Sequence, residues 1–211
     1  MPQLTAVKSQ KNRKRLNIYL DEKFAFGVSA DLWEIQKIKL GDNLSQDEIS
    51  KLKDDDSIQK VWDKILHFLS FRPRSQKEVI IKLQNISTKV GITDVEQEGI
   101  IKRLEKLHYV DDVEFGKWFI EQRTKVKKGK NLIKQELYVK GLDSKLVERL
   151  LQEEVLAGYD EAGAVLEKNR WRFKDSDKLK MKKKMQDLLL RRGFEWEDVS
   201  LAIENFLTKK A

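Results

Sequence analysis

The chain has 211 residues, with 43 Lys and Arg against 35 Asp and Glu, two His and no Cys. The lack of cysteine excludes disulfide scaffolds, thiolate zinc sites and thiol nucleophiles. Ten Gly and two Pro are too few for the turns and phosphate loops of a β-sandwich or an α/β enzyme, which predicts a mainly helical fold.

Strand patterning is confined to the N-terminal part of the chain. Residues 15–20 alternate polar and apolar side chains, and apolar residues return over 24–28. Asp21-Glu22-Lys23 separates the two stretches as a short charged turn. Apolar patterning with a period of two on both sides of a turn predicts a β-hairpin.

Two helices should follow this hairpin. Ser29 is placed to cap a short helix, and residues 45–48 (Ser-Gln-Asp-Glu) form a capping box before a second one. The acidic stretch Asp54-Asp55-Asp56-Ser57 then predicts a joint, after which strand signals disappear. We therefore expect a small α+β element over residues 1–57.

From residue 58 onward the apolar spacing is helical and repeats itself. Ile133, Leu137, Gly141, Leu142, Val147 and Leu151 recur 52 positions later as Met185, Leu189, Gly193, Phe194, Val199 and Ile203. Part of the same pattern precedes them as Gly91, Ile92 and Ile101. Because glycine at the end of a helix suits a left-handed C-cap, each unit is predicted to be helix, helix, glycine turn, helix.

The repeat defines the predicted domain organisation. A bundle of this size is too small to be very stable unless it packs on its neighbour. We therefore expect three-helix modules at residues 58–109, 110–157 and 158–211, following the element at 1–57. The predicted fold class is mainly α, with tandem three-helix modules in an elongated array.

The net charge of +8 is unevenly distributed along the chain. Positive and negative side chains balance over residues 1–57, so the whole excess lies beyond them. Basic runs without any acidic residue occupy 8–15, 123–130, 168–174 and 178–184. Such runs attract polyanions and predict contact with nucleic acid, while the alternative for each run is a solvated helix face.

Thirteen cations are the candidate contacts to nucleic acid or to a partner. They are Arg72, Arg74, Arg123, Lys125, Lys127, Lys128, Lys130, Arg170, Arg172, Lys180, Lys183, Lys184 and Arg191. We expect Lys125, Lys127, Lys128 and Lys130 to be solvated and available, because they lie between two predicted helices and Gly129 breaks the helix there. At about 100° per residue, the later helix separates two sets of side chains onto different sides. The buried stripe would be Met181, Met185, Leu188 and Leu189, and the basic side Lys180, Lys183, Lys184 and Arg191.

A family resemblance is carried by residues in the first two modules. The residues are Phe71-Arg72-Pro73-Arg74-Ser75 with Glu78 and Leu83, Leu107-His108-Tyr109-Val110-Asp111-Asp112 with Phe115 and Trp118, and Arg123, Lys128-Gly129, Leu132-Ile133, Glu136-Leu137 and Gly141-Leu142. Together with the predicted hairpin they resemble the RecX family of recombination regulators. The third module is similar by helix pattern more than by motif, and the departures, at Val79 and Gly116-Lys117-Trp118, are mild.

The resemblance implies a protein that binds the filament of RecA recombinase on DNA and modulates it, usually by inhibition. Family members look like curved rods of three-helix modules in the groove of that filament, and they take part in regulating DNA repair and the SOS response. The resemblance thus implies RecA and DNA, single- or double-stranded and of any sequence, as partners of a monomeric protein. The direction of regulation stays open at this point.

Several motifs have a structural alternative. Ser75 and Glu78 can cap a helix that follows Pro73, which competes with a contact role for Arg72 and Arg74. Asp111-Asp112 could bind a metal, but acids at a helix start also cap free N–H groups. Tyr109, Phe115 and Trp118 are spaced for a helical core more than for base stacking.

No pattern for catalysis or a cofactor is visible. His67 and His108 lack Ser and Asp partners at recognisable spacing, and Lys128-Gly129-Lys130 lacks the rest of a phosphate loop. We therefore expect a non-enzyme without cofactor or metal. No apolar run reaches the roughly 20 residues that span a bilayer, and residues 1–10 lack an apolar signal core, so we expect a cytoplasmic protein without membrane association.

Two other function classes remain open. One is a stand-alone helical DNA-binding protein that requires no recombinase. The lysine-rich third module would suit this class. The other is an enzyme acting on nucleic acid, although clustered carboxylates or His with metal spacing are missing from the sequence.

Overall fold

The structure, a computed structural model, describes residues 1–11, 13–153, 158–173 and 177–208. The strands are β1 (Leu4–Ser9), β2 (Arg15–Leu20) and β3 (Lys23–Ser29). The helices are α1 (Ala30–Gln36), α2 (Gln46–Leu69), α3 (Gln76–Val90), α4 (Asp94–Lys106), α5 (Asp112–Lys125), α6 (Lys130–Val139), α7 (Ser144–Glu153), α8 (Tyr159–Lys168), α9 (Lys178–Arg191) and α10 (Trp196–Thr208), with a 3-10 helix at Arg170–Phe173. The mainly helical class with a small N-terminal α+β element is confirmed.

The predicted hairpin is present as β2 and β3, within an antiparallel sheet of order β1-β2-β3. Asp21 and Glu22 both have positive φ, 46° and 66°, as a tight hairpin turn requires. The sheet also contains β1, which the sequence analysis did not predict. The alternation of side chains between the two faces of β1 is interrupted, because its pairing with β2 shifts register between Leu4 and Ala6. A strict period of two in the sequence therefore does not reveal this strand.

The predicted joint at Asp54–Ser57 is wrong, because α2 runs without a break from Gln46 to Leu69. The buried Asp56 carboxylate accepts hydrogen bonds from the Arg15 guanidinium at 2.8 and 3.1 Å and from the Ser29 N–H at 2.9 Å. The Lys60 ammonium lies 2.8 Å from it. Asp56 therefore fastens α2 to the sheet. The capping box of Ser45 with Glu48 is confirmed at the start of the same helix.

The described chain divides into two compact units. One comprises Met1–Arg72 and Ile80–Tyr109, and the other comprises Pro73–Val79 and the chain from Val110 onward. Helix α3 belongs to both, since its first turn lies in the second unit and the rest in the first. The division of residues 58–211 into three modules stays a prediction.

The repeat at 52 positions is confirmed in the second unit. Gly141 and Gly193 end α6 and α9 with φ of +93° and +84°, and the partial copy Gly91 has φ of +83° after α3. The apolar positions matched by the repeat are buried in two separate cores, one built from α5, α6 and α7 and one from α8, α9 and α10. Both cores therefore use the same turn geometry.

The turns at Gly141 and Gly193 each contact the first residues of a helix that lies earlier in the sequence. The Gly129 N–H donates to the Arg192 carbonyl at 2.8 Å, and the Asn131 N–H donates to the Gly193 carbonyl at 3.0 Å, so α6 begins on the turn after α9. In the same way the Ser75 hydroxyl donates to the Lys140 carbonyl at 2.7 Å, so α3 begins on the turn after α6. The two repeats of the second unit are thus joined by backbone hydrogen bonds, and the start of α3 is joined to the turn after α6 through the Ser75 side chain.

Candidate nucleic-acid interface

The basic run at 123–130 lies between α5 and α6, and the fold brings carboxylates to it. The Arg123 Nε donates to one oxygen of Glu136 at 2.6 Å and the Lys128 Nζ to the other at 2.5 Å. Burial raises the pKa of Glu136, but the hydrogen bonds and charges of Lys128 and Arg123 outweigh it and hold the pKa below its usual value. This cluster stabilises the packing of α5 against α6.

The other residues of the run are also engaged or half-buried. Lys125 pairs with Glu121 at 2.7 Å on the surface of α5, and Lys130 lies 3.7 Å from Glu195. Lys127 is half-buried and has a left-handed φ of 56°. The expectation of a solvated and available side chain is therefore wrong for Lys128, because Glu136, eight residues away, comes to it only in the folded chain.

Arg72 and Arg74 flank Pro73 just before α3 and are half-buried. The predicted cap beside them is confirmed, since the Ser75 hydroxyl accepts from the Glu78 N–H at 3.2 Å. The Glu78 carboxylate accepts from the Lys140 ammonium at 2.6 Å. A contact role for the two arginines stays a prediction.

The predicted helix cap at Asp111 and the predicted aromatic core residues have different outcomes. Asp111 caps α5 by accepting from the N–H groups of Val113 and Glu114 at 2.7 and 3.2 Å, as expected for acids at a helix start. Phe115 is fully buried and Trp118 packs against the same core. The assignment of Tyr109 to the core is wrong, because this ring is 52% exposed, just ahead of the helix that buries Phe115.

The two arginines of the run at 168–174 are both exposed but have different partners. The Arg170 guanidinium contacts the Glu167 carboxylate at 2.8 and 2.9 Å and lies over the Phe206 ring, 5.0 Å from its centroid. Arg170 therefore holds the 3-10 helix against α8 and α10. Arg172 is exposed, with its guanidinium 5.9 Å from the centroid of the Trp171 ring. Lys174 lies outside the described residues.

Helix α9 separates apolar and basic side chains as predicted. Its buried residues are Met181, Met185, Leu188 and Leu189. Its exposed cations on another side are Lys180, Lys183, Lys184 and Arg191. We call these four residues the α9 basic face. An acidic residue, Asp187, shares this side, and its backbone carbonyl accepts from the Arg191 Nε at 3.1 Å.

One aromatic residue beside the α9 basic face was missed by the sequence analysis. Trp171 is 69% exposed and lines a groove with Arg172, Lys184 and Arg191. The signal that could have found it is the tripeptide Arg170-Trp171-Arg172, in which an aromatic residue interrupts a basic run. Basic and aromatic residues in alternation are typical of surfaces that bind single-stranded nucleic acid.

Among the described residues, no three side chains of His, Asp or Glu gather in a way that could hold a metal ion. The helices of that part of the chain include none that is long and apolar enough to cross a membrane.

Comparison with known proteins identifies relatives over nearly the whole chain. Residues 2–45 match the family model described as the regulatory protein RecX N-terminal domain. The regulatory protein RecX of Bacillus licheniformis is 33% identical over 211 residues, which cover 97% of this chain and 77% of that protein. The protein of the same name from Clostridium acetobutylicum is 26% identical and covers 98% of this chain and 97% of its own.

Solved structures share the fold. A crystal structure of regulatory protein RecX superposes with a TM-score of 0.71 at 22% identity and covers 97% of this chain and all of its own. The crystal structure of RecX from Lactobacillus salivarius has a TM-score of 0.61 at 25% identity over 72% of this chain. Given the level and extent of the sequence identity, the chain belongs to the RecX family of regulatory proteins.

Proposed function

We propose that the protein binds the filament of RecA recombinase on DNA and inhibits its assembly, ATPase and strand exchange, with no catalysis of its own. The regulatory role follows from the family, and RecA as the partner follows from the resemblance of the family motifs. We further propose that the protein acts as a monomer in the cytoplasm, where that filament forms. The ATP turnover that it changes would belong to the recombinase.

The observation that supports a polyanionic partner is the α9 basic face. Its four cations extend from one side of a helix whose other side is buried in the core, so they can meet phosphates without disturbing the fold. Lysine and arginine that neutralise phosphates release counterions, which makes such binding strong at low salt and insensitive to base sequence. The run at 123–130 supports the proposal less, because Glu136 neutralises part of it.

The joined repeats of the second unit support contact with a repeating partner. Helix α6 starts on the glycine turn of the following repeat, which links these two repeats by hydrogen bonds. Repeat proteins built in this way present an extended surface to their partners. We propose that the three modules contact more than one recombinase subunit.

The test is the single-strand-dependent ATPase of a RecA recombinase with and without this protein. We expect inhibition by the parent chain and weaker inhibition by the double variant Lys180→Glu and Lys184→Glu. The matched control is Lys178→Glu with Lys182→Glu, which makes the same charge change on the same helix, about 160° around it at 100° per residue. Unchanged ATPase with the parent protein at any ratio would contradict the proposal, and equal weakening by both double variants would remove the α9 basic face from it.

A second candidate is a stand-alone DNA-binding protein. The α9 basic face favours it, since contacts to phosphates from an exposed helix need no recombinase. Binding to naked DNA with no added affinity for the filament, measured on the same oligonucleotide, would favour this candidate over the first.

A further inference from the structure

Trp171 is held in an exposed position by well-anchored neighbours. It lies in the 3-10 helix Arg170–Phe173, where Phe173 is buried in the core beside Phe206 and Arg170 bonds to Glu167. The Trp171 ring itself is 69% exposed. Because Phe173 anchors the 3-10 helix in the core and Arg170 is paired with Glu167, the indole is presented to solvent from an anchored segment, which lowers the entropic cost of ordering it against a ligand.

The groove beside this ring is positively charged. Among the described residues, Arg172, Lys184 and Arg191 line it together with one carboxylate, Asp187. Three cations against one anion leave a net positive charge, and the Arg172 guanidinium lies 5.9 Å from the ring centroid. A ligand that suits the groove has a flat face for the indole and negative charges a few ångströms away.

We propose that Trp171 stacks on a base of single-stranded DNA while Arg172, Lys184 and Arg191 contact the adjacent phosphates. The inference rests on the proposed function in taking DNA as the ligand, and it adds the strand form and the contact residue. In a duplex the faces of the bases are stacked on one another, so the indole can reach a base face only on a single strand. Stacking accepts every base, which agrees with binding that is independent of sequence.

The chain contains a natural comparison for this site. Trp196 is also exposed, at 54%, but its neighbours are Glu195, Glu197 and Asp198. Burial, together with Glu195 and Glu197, raises the pKa of Asp198, as expected where negative charges are crowded. An exposed tryptophan in this acidic setting repels a phosphate chain, so Trp196 is the matched control for Trp171.

The test measures binding of the full chain to a thymidine oligonucleotide, to an abasic strand of the same length and to a duplex, without recombinase. We expect Trp171→Ala to weaken binding to the thymidine strand about tenfold, in keeping with the loss of one stacked base, and Trp171→Phe to retain most of it. Trp196→Ala should bind as the parent does. Circular dichroism should show the parent helicity for every variant, since the ring is exposed.

Two further readouts separate stacking from charge. On the abasic strand and on the duplex, Trp171→Ala should bind as the parent does, and on the thymidine strand it should leave the slope of log affinity against log salt unchanged. Lys184→Ala and Arg191→Ala should each reduce that slope by about 0.7. Parental affinity of Trp171→Ala for the thymidine strand, or equal loss on the abasic strand, would overturn the inference. Either result would leave the ATPase inhibition by the parent chain, and hence the proposed function, standing.

Discussion

Two basic regions of the second unit, the run at 123–130 and the α9 basic face, look alike in the sequence and differ in the fold. The run at 123–130 is folded around Glu136, which accepts from both Arg123 and Lys128. The α9 basic face is exposed on a helix whose other side is buried. The local sequence shows where the charges are. The tertiary packing determines which of them stabilise the fold and which stay available for a partner.

Arg15 extends the comparison to the N-terminal element. It also belongs to a basic run, and it also pairs with a distant carboxylate, the buried Asp56. Burial would raise the pKa of Asp56, but hydrogen bonds from Arg15, Lys60 and the Ser29 N–H outweigh burial and lower it. Arg15 and Asp56 thus form a more enclosed version of the arrangement seen around Glu136.

The largest effect is expected for Asp56→Asn. We expect the free energy of unfolding to fall by about 2 to 3 kcal/mol, at the lower end of the range for breaking a buried pair because Arg15 and Lys60 can still reach solvent. Urea unfolding measures it. Asp54→Asn, an exposed position on the same helix, is the control and should change stability by less than about 0.5 kcal/mol. Equal losses of stability in the two variants would show that the negative charge of α2, and not the pair of Asp56 with Arg15, stabilises the protein.

The same pair predicts a pH dependence. The folded-state pKa of Asp56 is lowered, so its contribution is complete above the unfolded value of about 4 and is lost as pH falls through the folded value. We expect the stability difference between the parent and Asp56→Asn to shrink as the pH falls from 6 to 3. Urea midpoints of both proteins across that range measure it, and a constant difference would contradict the assignment.

A smaller loss is expected for Glu136→Ala, at about 1 kcal/mol, because the cluster with Arg123 and Lys128 is only partly enclosed. Glu121→Gln removes the exposed partner of Lys125 and should cost less than about 0.5 kcal/mol. Thermal or urea unfolding distinguishes the two. If Glu136→Ala is as stable as the parent and binds DNA no better, the run at 123–130 has neither the structural nor the electrostatic role described above.

The smallest effect is a gain. Asp187 is a carboxylate that lines the groove beside Trp171, so Asp187→Asn should tighten binding to a single strand about twofold at low salt, and salt should erase the difference. Glu197→Gln, beside Trp196, is the control and should leave affinity unchanged. Weaker binding by Asp187→Asn would mean that this carboxylate orients the groove instead of repelling the ligand.

The features that could be predicted from the sequence are those whose cause is local. The glycine turns, the cap at Asp111 and the capping box at Ser45 each depend on a few neighbouring residues, and all are present. The buried stripe of α9 follows from helical periodicity alone. The repeat at 52 positions adds the one long-range feature that was visible, because it compares the chain with itself.

The features that were missed depend on distant residues. The supposed joint at 54–57 lies within α2, where Asp56 pairs with Arg15, 41 positions earlier. Strand β1 is held by pairing with β2 despite its irregular register. The solvation of the run at 123–130 depended on Glu136, and the exposure of Tyr109 on where the next helix begins. Each of these outcomes needs the folded chain.

The glycine turns have a consequence for how the chain tolerates change. At Gly193 a Cβ would lie 2.3 Å from Leu132, and at Gly141 it would lie 2.6 Å from Lys77, whereas at Gly91 it would meet no described atom within 4 Å. All three have a positive φ, which asparagine also accepts. Mutational drift should therefore admit asparagine after α3 but not after α9, where the start of α6 closes on the backbone. An engineer adding a tag or a reporter loop has the turn after α3 as an open site, while the same insertion after α9 would pull two repeats apart.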